Sequence, residues 1–230
     1  MSSAFAALVA EKNKARPQGI WHSIWSYGDP GTKKTRFALG AARLGKVAYI
    51  GTESSAEDYT NDSEFPGFGP ENMLEVRTPG EYRQAVAAVI GGGGYNTVII
   101  DQMTDVYSWE LAEVTKERNG QKFVPMASWQ PMREKHKEQL RALRDAPLHK
   151  IFVSQQKEIR VNVQQPDGTM TSEIVGAKID AEKKDGHVVK VVLNHRISKG
   201  KFIAEVMKDR LGRFKQAEIV NEPTVEMWLS

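Results

Sequence analysis

SYGDPGTKKTRFALGAARL, residues 26–44, is the stretch that decides the fold. It lies one residue away from the phosphate-loop pattern G-x-x-x-x-G-K-[ST]. Gly28 opens the pattern, Lys34 and Thr35 close it, and Lys33 takes the place of the second glycine. A loop of this kind turns successive backbone N–H groups toward a di- or triphosphate, and the helix starting near Lys33 adds its positive N-terminal end. Gly28 and Gly31 supply side-chain-free turns and Pro30 stiffens the chain between them. Lys34 can reach the β- and γ-phosphates, and the Thr35 hydroxyl is placed to bind Mg²⁺. The expected phosphate contacts are therefore Gly28, Asp29, Pro30, Gly31, Thr32, Lys33, Lys34, Thr35 and Arg36. If position 33 needs a positive φ, its lysine is strained by roughly 1 kcal/mol and its Cβ crowds the phosphates, although its charge favours anions. The plain alternative is a glycine-containing turn before an amphipathic helix; the order strand, loop, helix favours the phosphate loop.

The 230 residues suit one sizeable α/β domain with small additions, and the absence of cysteine excludes disulfides, thiolate catalysis and Cys-based zinc sites. No apolar run approaches a membrane span, and residues 1–17 lack the pattern of a signal peptide. The expectation is a soluble, cytoplasmic protein with no membrane partner. The formal net charge is +3, but residues 150–215 hold fourteen Lys and Arg against eight Asp and Glu. That excess suits either a nucleic-acid backbone or solvated lysines on a sheet edge.

Outward from the loop, residues 20–27 (IWHSIWSY) read as the strand that delivers the chain to Gly28, and 4–15 as a helical packing or oligomerisation arm. After the loop helix, residues 46–52 (KVAYIGT) form a second buried strand whose end carries Glu53, at the rim where open α/β sheets bind ligands. Residues 54–75 read as surface loop. Thr78 caps a helix to Ile90, and Gly91 to Gly94 turn the chain into a third strand, residues 96–101 (NTVIID). That strand has the form of a Walker B strand, with Asp101 placed for Mg²⁺ or its water. Residues 106–114 and 126–143 read as helices joined by a charged segment, 116–122. Residues 149–155 form a strand ending in Gln155, which can sense the γ-phosphate and position water or simply bond the loop. Residues 160–175 read as a hairpin around Pro166-Asp167-Gly168, and 187–195 and 201–208 as two more strands. The five histidines lack metal-ligand spacing and read as structural or exposed.

In this order the features resemble the RecA-like ATPase family, particularly small phage-encoded members described as single-strand annealing or recombination ATPases, over residues 20–214. VAYIGTE (47–53) is similar to the family's apolar strand ending in D-T-E, with Gly51 where the aspartate is usual. IIDQMTDVY (99–107) resembles V-D-S-x-T-x-L-Y, with Asp101, Thr104 and Tyr107 in register. The resemblance implies an α/β RecA-like P-loop core, a mostly parallel central sheet flanked by helices, with antiparallel strands in the C-terminal part. It sets a domain at 19–220 between an arm (1–18) and a tail (221–230).

It also implies ATP and Mg²⁺ as cofactors, with Thr35 and Asp101 holding the metal and Glu53 activating water beside Lys34. Gln155 is implied to link nucleotide state to a DNA loop. Lys208 and Arg210 in VMKDR (206–210) are implied to meet the γ-phosphate of a neighbouring subunit in a ring or filament with ATP at its interfaces. Residues 116–122 and 158–186 take the positions of the two DNA-contacting loops by place alone. The expected activity is a DNA-stimulated ATPase acting on single-stranded DNA in recombination, annealing or repair. The alternatives are a nucleotide-binding module that does not hydrolyse, for which Lys33 is the warning sign, and a P-loop ATPase acting on a protein such as a helicase loader.

Overall fold

The structure, a computed structural model, describes residues 20–116, 126–166, 169–182 and 185–230. The expected N-terminal arm, nearly all of segment 116–122 and the centre of the 166–168 turn lie outside them.

Nine strands form one sheet: β1 (Ser23–Gly28), β2 (Val47–Gly51), β3 (Met73–Glu75), β4 (Thr97–Asp101), β5 (His149–Gln164), β6 (Met170–Ile179), β7 (Val191–Ser198), β8 (Lys201–Asp209) and β9 (Ile219–Asn221). Their order is β3-β2-β4-β5-β1-β7-β8-β9, with β6 paired to β5 outside this path. From β3 through β7 every pairing is parallel; β8 and β9 add on antiparallel. The expected mostly parallel sheet with antiparallel C-terminal strands is what the chain forms.

β1, β2 and β4 are buried at every position, as strands covered on both faces must be. Neighbouring residues serve opposite faces. Ile24, Tyr49 and Ile99 join a core with the loop helix α1 (Lys34–Leu39), whereas Trp25, Ile50 and Ile100 join a second core. That second core lies under α2 (Pro79–Gly92), α3 (Met103–Lys116) and α4 (Met126–Asp145). Thr78 caps α2 by accepting from the Glu81 N–H, as the S/T-x-x-E spacing requires.

Five features differ from the sequence reading. The loop helix ends at Leu39 and tightens into a 3₁₀ turn, Gly40–Arg43, and the 54–75 region contains the short edge strand β3. α3 begins at Met103, directly after the Asp101 strand. The hairpin is no separate unit: β5 runs 16 residues, first as a buried core strand and then as one leg of an exposed ribbon with β6. Residues 221–230, set apart above as a tail, end in α5 (Glu226–Leu229), which puts Trp228 against Phe37 and Phe214 in the first core.

One ionic cluster ties the second face together. His136 of α4 donates from Nδ1 to Glu110 of α3 (2.7 Å) and from Nε2 to Asp185 (2.9 Å), all three nearly fully buried. Burial alone would lower the imidazole pKa, but the two carboxylates overcome it and raise it to about 10. A pKa raised in the folded state contributes stability that is complete below the ordinary histidine value of about 6.5 and is lost as pH rises through the folded value. Unfolding free energy should therefore decline between about pH 6.5 and 10 in the wild type. His136→Ala, which leaves two buried carboxylates uncompensated, should cost about 3–5 kcal/mol in urea titrations at pH 6.5.

Candidate functional site

β1 carries the chain to the sheet's C-terminal rim, where Gly28 has φ +155° and a Cβ would stand 2.1 Å from the His195 carbonyl oxygen of β7. Only glycine fits there. Gly31 turns the loop with φ +78°, and Thr32 donates its hydroxyl to the Asp29 carbonyl at 2.7 Å. The Lys34 ammonium folds back over the loop to the carbonyls of Gly28 (3.0 Å) and Asp29 (2.7 Å). Burial holds its pKa below the ordinary lysine value, against the pull of Asp101, Asp29 and Glu53.

Lys33 does adopt the left-handed conformation, φ 56° and ψ 28°, which disfavours a side chain by about 1–2 kcal/mol. Its ammonium lies 3.4 Å from the ring centroid of Phe202 at the start of β8. Lys33 is exposed, and a cation–π contact there is worth about 0.5–1 kcal/mol, enough to offset part of the strain.

Across the rim, the Thr35 hydroxyl donates to Asp101 Oδ2 at 2.6 Å, and the Tyr49 hydroxyl of β2 donates to the same oxygen at 3.0 Å. Asp101 is 2% exposed, and burial raises its pKa despite these donors. Two hard oxygen donors, one on the loop helix and one at a strand end, stand close enough to share one small cation, the set that suits Mg²⁺. The Asp101–Gln102 peptide is cis. Gln102 donates from Nε2 to Glu53 Oε1 at 2.9 Å, and its N–H donates to the Thr52 hydroxyl. Glu53 is exposed at the rim and held there by Gln102.

Register places Gln155 directly beside Gly28 on the neighbouring strand. Its N–H donates to the Thr104 hydroxyl, which donates in turn to the Asp180 carbonyl at the end of β6. The start of α3 is in this way tied to both legs of the ribbon. Lys208 and Arg210 are not brought to their own chain's phosphate loop. Lys208 pairs with Val192, level with Trp25, about 10 Å below Gly28. Its ammonium caps the carbonyls of Gly186, His187 and Val189, and burial lowers its pKa to about 8. Arg36 makes a two-pronged contact with Glu64. Tyr49, Gln102 and Phe202 had no local signal. Each meets its partner through strand order, across separations no spacing rule covers.

This arrangement is matched by a known family. The AAA domain pattern fits residues 22–190, from β1 to the residue before β7. The chain belongs to the AAA domain family. This AAA domain is also similar to the crystal structure of the RadB recombinase, with a TM-score of 0.56 at 16% identity over 87% of this chain and 86% of that one. The likeness shows a shared RecA-like P-loop fold. No curated protein matches the chain. Among the described residues no helix is long and apolar enough to cross a membrane.

If the contact with Phe202 offsets the backbone strain at Lys33, the two residues are energetically coupled. A double-mutant cycle with Lys33→Gly and Phe202→Ala, read by chemical denaturation, should give about 0.5–1 kcal/mol of coupling. Additive effects would remove the cation–π contact from this account.

Proposed function

We propose that this AAA domain binds ATP on Gly28 to Thr35, hydrolyses it, and uses the cycle to control binding to single-stranded DNA in recombination, annealing or repair. One observation carries the reading: Thr35 and Asp101 meet at 2.6 Å while Glu53 is held across the rim by Gln102. In this scheme Thr35 and Asp101 would hold Mg²⁺, which would supply neutralisation of the phosphate charge. Lys34 exchanges the carbonyls of Gly28 and Asp29 for phosphate oxygens. Glu53 orients the attacking water and takes its proton, and Gln155, beside Gly28, passes the presence of the γ-phosphate through Thr104 to the ribbon. The DNA role is supported by the positive excess in residues 150–215 and by the ribbon's position at the nucleotide rim. Assembly into a ring or filament would give Arg210, exposed and distant from its own loop, a neighbour's phosphate to meet.

A second reading, an ATPase acting on a protein partner, is favoured by a separate feature. The ribbon exposes Ile159, Val161, Met170, Ile174 and Val175, more apolar surface than a phosphodiester backbone needs.

Turnover measured with and without single-stranded DNA separates the two. Stimulation of the rate, weakening steeply with salt, is expected for the DNA role; stimulation by a protein alone would select the other. Glu53→Gln should lower turnover by about 10²–10⁴-fold with ATP binding retained. An unaffected rate would remove Glu53 from this role. Asp101→Asn should abolish the dependence of ATP affinity on Mg²⁺, as titrated by calorimetry in its presence and absence.

A further inference from the structure

Among the described residues β6 pairs with β5 alone, so one side of a strand of 10 residues is open along its length. Short strands and charged side chains are the usual protection of such an edge against pairing with another chain. The strands that end the sheet path, β3 and β9, are 3 residues each. The outer half of β5 carries Lys157, Glu158 and Arg160. β6 has less protection. It contains no proline, its only charges are Glu173 and Lys178, and Met170, Ile174 and Val175 are 63%, 56% and 58% exposed.

The charges of β5 in this ribbon are satisfied within the chain: Lys157 holds Asp180 at 2.7 Å and Arg160 holds Glu158 at 2.6 Å. Glu173 and Lys178, both exposed, have no ion-pair partner among the described residues. They stand about 15 Å apart along one strand, too far to meet each other. Both project from the same face of the ribbon. Glu173 is opposite Val161 and Lys178 opposite Lys157, and alternate residues of β5 share a face. The register shift between Ile159 and Arg160 makes this possible, because it leaves Val175 as an extra residue in β6 and brings odd and even positions to one side. By the same count Ile174 and Ala177, opposite Arg160 and Glu158, share the other face.

We propose that β6 pairs antiparallel with β6 of a second copy of this chain, about a two-fold axis between Val175 and Gly176. Glu173 of each copy then stands across from Lys178 of the other, and Ile174 across from Ala177, every pair face to matching face and formed twice. Val175 meets a glycine, where no side chain competes for space. The order of charges along β6 is its own complement when the strand is reversed, and that property selects a second copy as the occupant. The contact closes on itself, covers apolar side chains that the ribbon leaves in solvent, and does not rest on the nucleotide reading.

The test is sedimentation equilibrium of the full chain at low salt, without nucleotide or DNA, for the wild type, Glu173→Lys, Lys178→Glu and an equimolar mixture of the two variants. The wild type should dimerise, more weakly as salt rises. Each variant alone sets like charges across the axis twice and should weaken dimerisation at least tenfold. In the mixture every lysine again faces a glutamate across the axis, so dimers containing one copy of each should form with affinity within about threefold of the wild type. No folding defect in either chain could produce that recovery. A wild type that stays monomeric overturns the proposal. So does a wild-type dimer that both variants keep unweakened, or a mixture that associates no better than its components.

Discussion

The hydrogen bond from Thr35 to Asp101 is the contact on which the rest of the site depends. Its partners lie on β4 and on the helix after β1, and β5 runs between those strands. The loop helix must therefore pass over β5 for its first turn to reach the end of β4. This fixes the height of the cradle above the sheet, the position of Gln155 under the loop, and the side from which Glu53 approaches. A carboxylate as buried as Asp101 needs donors. Thr35 and Tyr49 supply them from two different elements, so the two strands and the helix are tied at a single oxygen.

Lys33 shows how a departure from a motif is absorbed. The loop needs a left-handed residue immediately before α1, and glycine meets that need without strain. This chain places a lysine there, keeps the φ of 56°, and anchors the side chain on Phe202. The motif's backbone geometry thus survives a side chain that its pattern excludes. The same contact makes β8 part of the nucleotide rim, joining the antiparallel strands to the site.

Lysines with fixed partners recur elsewhere with a different purpose. Lys150 donates to the carbonyls of Arg144 and Ala146 at the end of α4, and Lys208 to three carbonyls in residues 186–189. Both complete backbone groups that a helix end or a turn leaves unpaired. His136 does the same for two carboxylates. Together these contacts hold the second face firmly beneath the rim. The ribbon of β5 and β6 extends past it with most of its side chains in solvent.

Local pattern determined the phosphate loop, the strands that end in Glu53 and Asp101, and the α/β class, because each is written in consecutive residues: glycine at a turn, apolar runs, a capping threonine. The mostly parallel character of the sheet followed only through resemblance to a family, and its strand order from the tertiary structure. Pairings across long separations were decided by tertiary structure alone. Tyr49 with Asp101, Gln102 with Glu53, Lys33 with Phe202 and His136 between Glu110 and Asp185 each join residues whose meeting depends on which strand lies beside which. The last ten residues carry no motif, and only packing shows Trp228 completing the core behind the loop helix. The physical reason is the same in each case. Backbone conformation responds to near neighbours, whereas burial, charge pairing and the shape of a cleft are properties of surfaces that exist only after the sheet has closed.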